Sequence, residues 1–171
     1  MDLKSCIRTI PDYPKPGILF YDISTLIGNG KAWRHAVDRL CEAVEAFGAD
    51  RLAGIEARGF LVSAPVADRL GIGFTMLRKQ GKLPGAVVSY RYDLEYGADT
   101  IEIQADAIRP GERVVVVDDL LATGGTFGAG IELLRRIGAD VRGAVCLVEL
   151  GFLGGRQRLD APVTSLVVYD E

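Results

Sequence analysis

The sequence predicts a single α/β domain with a mainly parallel central sheet flanked by helices. Three observations support this prediction. The 171 residues are enough for one domain with a well-buried core. Segments with strand and helix patterns alternate along the chain, as a parallel sheet requires. Residues 113–119, RVVVVDD, form a continuous apolar run, which is typical of a strand that is covered on both faces.

Helices are predicted where apolar residues recur every three or four positions between a start and a stop signal. In 31–47, Trp33, Val37 and Leu40 lie on one such stripe, with Asn29 before it and Gly48 after it. The other two predicted helices cover 60–70 and 126–138. Strands are predicted over 51–57, 73–78, 99–105, 113–119, 141–150 and 163–170.

The segment 79–97, KQGKLPGAVVSYRYDLEYG, interrupts this alternation. It mixes basic residues, glycine and proline around a β-prone centre. Loops of this length in compact domains are usually functional or disordered, so we expect a hairpin arm outside the core. Residues 151–160 are a Gly-rich connection within one domain, because strand patterns continue after them.

Composition and charge exclude several classes of protein. The formal net charge is −3, which does not indicate a nucleic-acid partner, and no apolar run is long enough to cross a membrane. The N-terminus lacks the apolar core of a signal peptide. Cys6, Cys41 and Cys146 have neither disulfide-motif nor metal-site spacing, and we expect Cys41 and Cys146 to be core residues. These features predict a cytoplasmic protein.

The motif VVVVDDLLATGGT, residues 114–126, predicts an anion site. In open parallel sheets, ligands bind at the carboxyl ends of the strands. The loop after this strand leads into a predicted helix, whose first amides have no partners within the helix. Backbone amides and the helix dipole bind phosphate without a cation, which explains why the loop carries no lysine or arginine. The loop is not a P-loop, because it lacks GxxxxGK[ST].

Asp118 and Asp119 require a different partner from the phosphate. A carboxylate accepts hydrogen bonds, so ribose hydroxyls are suitable partners, and Mg²⁺ is another. An acid pair that only caps a strand is the structural alternative. Phosphate on the loop and a diol on the acids together favour a ribose 5-phosphate ligand.

At this point the sequence resembles the type I phosphoribosyltransferases, whose signature for phosphoribosyl pyrophosphate (PRPP) is similar to VVVVDDLLATGGT. Five further segments occur in the order and spacing of the adenine phosphoribosyltransferases, so the resemblance covers nearly the whole chain. They are DYPKPGILFYDIST (12–25), EARGF (56–60), RKQGKLP (78–84), YDLEYG (92–97) and GGRQRL (154–159).

The resemblance implies a single-domain type I phosphoribosyltransferase fold over 1–171. Its implied parts are a small N-terminal hood that contributes to the adenine pocket (1–30) and a mobile hairpin arm (79–97). It also implies that the arm closes over the pyrophosphate, from its own or a neighbouring subunit of a homodimer. The implied reaction transfers the phosphoribosyl group of PRPP to N9 of adenine, with Mg²⁺ carried mainly by PRPP, and gives AMP and pyrophosphate.

The resemblance also implies a role for each matching residue. Catalysis falls to Glu95, as the acid that exchanges a proton with the purine, and to Arg58, which reaches the pyrophosphate. Ribose contacts are implied for Asp118 and Asp119. Phosphate contacts are implied for Ala122, Thr123, Gly124, Gly125 and Thr126, pyrophosphate contacts for Arg78, Lys79 and Lys82, and adenine contacts for Leu19, Phe20 and Tyr21.

One departure and three alternatives remain open at this stage. Family members commonly carry arginine where this chain has Tyr21, and this puts the base pocket in question if the side chain faces it. Another purine phosphoribosyltransferase, which uses hypoxanthine, guanine or xanthine, fits the same motifs. So does a non-catalytic PRPP-binding regulator, although such regulators need a DNA-binding module. The third alternative is a phospho-acceptor receiver domain, in which the TGGT segment would have no role.

Overall fold

The structure is a computed structural model that describes residues 1–94 and 96–171. Nine strands and four α-helices are assigned in these residues. The strands are β1 (Arg8–Pro11), β2 (Leu19–Asp22), β3 (Arg51–Ile55), β4 (Gly73–Lys79), β5 (Val87–Asp93), β6 (Ala98–Gln104), β7 (Arg113–Leu121), β8 (Asp140–Leu150) and β9 (Val163–Tyr169). The helices are α1 (Ser24–Gly28), α2 (Gly30–Phe47), α3 (Arg58–Leu70) and α4 (Gly125–Arg136).

Seven strands form one sheet in the order β5-β6-β4-β3-β7-β8-β9. Strands β4, β3, β7, β8 and β9 are parallel neighbours, whereas β6 is antiparallel to both β4 and β5. This confirms the expected α/β class with a mainly parallel sheet. A separate antiparallel hairpin, β1–β2, was not predicted as strands; its residues contain two prolines and a glycine between short β-prone pieces.

The valine run of β7 is buried on both faces of the sheet, as its sequence predicts. Val114 and Val116 belong to a core cluster under α4, while Val115 and Val117 belong to a second cluster under α2 and α3. Successive side chains of a strand point to opposite faces, so an uninterrupted apolar run is what two covered faces require. The N-terminal residues pack in a third cluster, against β8 and β9.

The start and stop signals of the long helix behave as predicted. The Asn29 side chain accepts hydrogen bonds from the amides of Lys31 and Ala32, which caps the first turn of α2. Gly48 ends the helix with φ 64°, a left-handed conformation that glycine adopts without steric cost. Cys41 and Cys146 are buried in the core, as expected.

The expectation that 79–97 lies outside the core is wrong for its second half. Residues 87–93 form β5, which pairs with β6 over seven residues and becomes an edge strand of the main sheet. Val88, Tyr90 and Tyr92 pack against the core cluster under α4. The segment supplies only one strand of a hairpin, because the partner strand β6 begins after it, and β5 is anchored because its alternate side chains are apolar and pack against the cluster under α4. In the described residues, no helix is long and apolar enough to span a membrane.

Candidate active site

A cavity of about 430 Å³ opens at the carboxyl ends of the central strands. Strands β3 and β7 are adjacent and parallel, so the residues that follow them meet at this edge of the sheet. The volume lies in the range of small-molecule sites. Ten of the predicted site residues line it: Arg58, Arg78, Lys79, Asp118, Asp119, Ala122, Thr123, Gly124, Gly125 and Thr126.

The phosphate loop, residues 122–126, is a short turn between β7 and α4. Strand β7 extends to Leu121, two residues beyond the predicted end, and α4 begins at Gly125. Gly124 has φ 88°, in the left-handed region that favours glycine. A Cβ at Gly124 would lie 2.7 Å from the carbonyl oxygen of Gly155, so a larger residue does not fit without a backbone shift. The loop thus presents the helix N-terminus and its amides to the cavity.

The two aspartates at the end of β7 differ in environment. Asp118 is buried and its carboxylate accepts a hydrogen bond of 2.8 Å from the Asp119 amide. Burial, together with the neighbouring Asp119 carboxylate, raises the pKa of Asp118 well above its usual range. Asp119 instead forms an ion pair with Arg58, with 3.0 Å between Nε and Oδ2. The acid pair therefore presents one compensated carboxylate and one buried carboxyl group that resists ionisation.

Every predicted pyrophosphate cation is paired with a carboxylate of the protein. Arg58 pairs with Asp119, and Lys79 pairs with Asp99 at 3.0 Å. Lys82 pairs with Glu56 at 2.8 Å. The Nε of Arg78 is 3.6 Å from Glu56, too far for a hydrogen bond, and it is the one buried side-chain polar atom of the described residues that lacks a hydrogen-bond partner.

Glu56 follows β3 and contacts Lys79 and Lys82 on the other side of the cavity. No role was predicted for it from the sequence. Its side chain is 7% exposed, and its carboxylate accepts hydrogen bonds from the Lys79 amide and the Lys82 ammonium group. Burial opposes ionisation of Glu56, but these hydrogen bonds outweigh burial and hold its pKa below the ordinary value. Glu56 directly follows β3, so the strand-end rule that identified Asp118 could also have found it. The peptide bond between Glu56 and Ala57 is cis.

Asp99 and Tyr92 also line the cavity and were missed. Both lie on the antiparallel strands β5 and β6, which reach the cavity from the edge of the sheet. The strand-end rule applies to parallel strands, so it marked neither residue, and Tyr92 was quoted only as the first residue of the YDLEYG segment.

The remaining predicted residues do not line this cavity, or fall outside the described residues. Lys82 reaches it only through its ion pair with Glu56. Phe20 lies at the rim, where the Arg58 guanidinium carbon is 6.0 Å from its ring centroid, and Leu19 is exposed. Glu95, the predicted catalytic acid, lies outside the described residues.

The side chain of Tyr21 faces away from the cavity, contrary to an adenine contact by that side chain. It is buried, its ring centroid lies 3.9 Å from that of Tyr169, and its hydroxyl donates to the Glu171 carbonyl oxygen. Alternation along β2 explains the difference, because neighbours of Phe20 point to the opposite face. The exchange of arginine for tyrosine here therefore changes the N-terminal core cluster, and only the backbone of Tyr21 remains available to a base.

The donor set fits a magnesium ion that is held mainly by its substrate. In the described part of the chain, no three Asp, Glu, His or Cys side chains are grouped as a metal cage. Mg²⁺ commonly takes one or two carboxylates together with substrate phosphates. Asp118 and Asp119 are the carboxylates at the end of β7 that could serve such an ion.

Comparison with known proteins agrees with this geometry. Residues 31–168 match the phosphoribosyl transferase domain family. The adenine phosphoribosyltransferase of Gluconacetobacter diazotrophicus is 66% identical over 100% of this chain and 97% of its own length, and that of Acidiphilium cryptum is 65% identical over the whole of both.

Solved structures give the same result. The crystal structure of adenine phosphoribosyltransferase from Thermoanaerobacter pseudethanolicus is similar with a TM-score of 0.94 and 48% identity, over 98% of each chain. The enzyme from Saccharomyces cerevisiae, in complex with an imino-altritol bisphosphate and adenine, is similar with a TM-score of 0.92 and 40% identity, over 96% of each chain. A phosphate loop, an acid pair and a cation cluster lie at one sheet edge. Together with full-length similarity at this level, this arrangement places the chain in the adenine phosphoribosyltransferase family.

Proposed function

We propose that this protein transfers the 5-phosphoribosyl group of PRPP to N9 of adenine and releases pyrophosphate and AMP, as a step of purine salvage. One observation carries the proposal: a phosphate loop, a pair of acids and a cluster of cations line the same cavity. The phosphate of PRPP would bind the amides of residues 123–126, its ribose hydroxyls would face Asp118 and Asp119, and its pyrophosphate would lie toward Arg58, Arg78 and Lys79.

The cations support this orientation. The leaving pyrophosphate carries several negative charges, and fixed positive groups stabilise the charge that develops as the bond to C1 breaks. Their carboxylate partners hold them in place in the free protein, and the buried Nε of Arg78 has a hydrogen bond left to donate. Mg²⁺, when bound with PRPP, would neutralise further pyrophosphate charge.

The ribose passes through a state with positive charge on the sugar, similar to that of glycoside chemistry. Carboxylates beneath the sugar favour such a state. Phe20, beside Arg58 at the rim of the cavity, offers an aromatic face on which adenine would stack. A homodimer and a cytoplasmic location are parts of the same proposal; three free thiols support a reducing compartment.

The proposal is tested by measuring pyrophosphate release with PRPP, Mg²⁺ and one base at a time: adenine, hypoxanthine, guanine or xanthine. We expect release with adenine and formation of AMP, and only background release with the other bases. Turnover of a different base would show another purine specificity. PRPP binding without turnover of any of the four bases would show a regulator.

The role of Glu95 is a proposal from the family resemblance, and a substitution tests it. If its carboxyl group exchanges a proton with the purine, Glu95→Gln should lower kcat by about 100-fold or more and leave the KM for PRPP nearly unchanged. Asp106→Asn, at an exposed turn, is the matched control. An unchanged kcat in Glu95→Gln would remove Glu95 from the mechanism.

A further inference from the structure

The GGRQRL segment, residues 154–159, packs directly against the phosphate loop. A Cβ at Gly155 would lie 2.2 Å from the carbonyl oxygen of Ala122 and 3.0 Å from the amide nitrogen of Gly124. The two backbones are therefore in contact, and only glycine at 155 allows the approach. This segment was part of the family resemblance, but the proposed function gives it no role.

An ion pair fixes the segment in this position. The Nε of Arg156 donates to Glu149 Oε1 at 3.0 Å, and its terminal nitrogens donate to Ser165 Oγ and the Val163 carbonyl oxygen. The Glu149 side chain is only 6% exposed. The hydrogen bond from Arg156 outweighs burial and holds the pKa of Glu149 below its ordinary value. Arg156 is thus an anchor, and its charge is already compensated.

Arg158 differs from Arg156 in that its charge is not compensated by a carboxylate of the described residues. Its Nη1 donates to the carbonyl oxygen of Thr123 at 3.3 Å, which places the guanidinium beside the phosphate loop. A guanidinium has five N–H donors, so four remain for other acceptors. By contrast, Arg58, Lys79 and Lys82 are all paired with acids.

Arg158 also lines a second cavity, of about 670 Å³, which shares the phosphate loop with the first. Residues 123–126 form the boundary between the two cavities. Asp93 lines this second cavity as well. An anion on the loop amides would therefore have Arg158 on the side away from the pyrophosphate cations.

We propose that Arg158 is a binding residue for the phosphate group of the ribosyl substrate, and that it supplies the positive charge that the phosphate loop itself lacks. The inference rests on the proposed function for the identity of the substrate. It assigns the 154–159 segment a task, which is to carry this cation to the loop while Arg156 holds the segment to β8 and β9. Charge-assisted hydrogen bonds from the Arg158 guanidinium would strengthen binding of the phosphate group, although the loop itself carries no cation.

The test measures binding of ribose 5-phosphate by calorimetry, without base or turnover. Arg158→Gln should weaken binding by about fivefold to tenfold, a modest loss because the guanidinium is exposed. Arg158→Lys should recover most of the affinity, since it keeps the charge. Arg142→Gln, an exposed arginine at the start of β8, is the matched control and should bind as the wild type does.

A second measurement separates phosphate binding from a structural role. Arg158→Gln should weaken binding of AMP but leave binding of adenosine unchanged, and the loss should shrink as salt concentration rises. Equal affinity of wild type and Arg158→Gln for ribose 5-phosphate would overturn the inference. An equal loss for AMP and adenosine would also overturn it. If the wild type forms no AMP from adenine and PRPP, the proposed function fails, yet the ribose 5-phosphate comparison still decides the role of Arg158.

Discussion

Asp118 and Asp119 are neighbours in the sequence, but they are held in different ways. Asp119 is compensated by Arg58, whereas burial disfavours the ionised form of Asp118. A buried carboxyl with a raised pKa weakens the folded state at any pH where it must ionise. Its placement at the end of β7 is thus a cost to stability that ligand binding would offset.

The substitution Asp118→Asn tests this cost. The folded protein keeps the Asp118 proton to higher pH than the unfolded chain does, so the stability contributed by this group falls as pH rises above about 4. Asp118→Asn removes the ionisation and should raise the melting temperature of the ligand-free protein near neutral pH. The expected rise is about 2–4 °C for each kcal/mol relieved.

Melting curves between pH 5 and pH 8 supply the measurement, and the gain should shrink toward the acid end. Binding of PRPP should weaken, because the ribose loses the Asp118 carboxyl group as a hydrogen-bond partner. Asp119→Asn is the control and should not be stabilised, since it breaks the ion pair with Arg58. A gain that is the same at pH 5 and pH 8 would contradict the explanation.

At the scale of elements, β5 limits how much of the 79–97 arm can move. Its seven residues pair with β6, and the guanidinium carbon of Arg136 on α4 lies 4.5 Å from the ring centroid of Tyr90. Residues 80–86, by contrast, are largely exposed, with Gly81 and Gly85 at positive φ. Movement over the cavity is therefore expected in the turn that contains Lys82, while β5 remains in the sheet.

Hydrogen exchange with and without PRPP and Mg²⁺ measures this division. We expect the turn to close over the pyrophosphate, so peptides that cover 80–86 should gain protection when ligand binds. Peptides within 88–92 should be protected already and change little. The α2 helix, none of whose residues lines the cavity, is the internal reference. A large ligand-induced change across 88–92 would show that the whole arm moves.

At the scale of the whole molecule, the site is assembled from distant parts of the chain. The sheet order places β3 beside both β4 and β7, which brings Arg58, Arg78 and Asp119 to one edge. The 154–159 segment reaches the same edge from the far side of β8, and the N-terminal hairpin brings Phe20 to the rim. Each contributes a different group, so the cavity exists only in the folded sheet.

Prediction from sequence worked best where local chemistry decides the structure. The turn between β7 and α4, the burial of the valine run and the cap at Asn29 each depend on neighbouring residues, and the structure has all three. It failed where pairing across the chain decides. Tyr21 could not be assigned to a face, and the anchoring of β5 could not be seen, because both depend on which partner covers the strand.

The sequence alone determined the α/β class, the strand–turn–helix arrangement of β7 and α4 and the residue types that surround it. Periodicity, glycine and unpaired helix amides act over a few residues, so they can be read along the chain. Only the tertiary structure decided which carboxylate meets which cation, that Glu56 joins the two sides of the cavity, and that Arg158 stands beside a loop without a cation of its own. Glu56 pairs with Lys82, and Thr123 pairs with Arg158. The two residues of each pair are far apart in the sequence and meet only when the sheet forms.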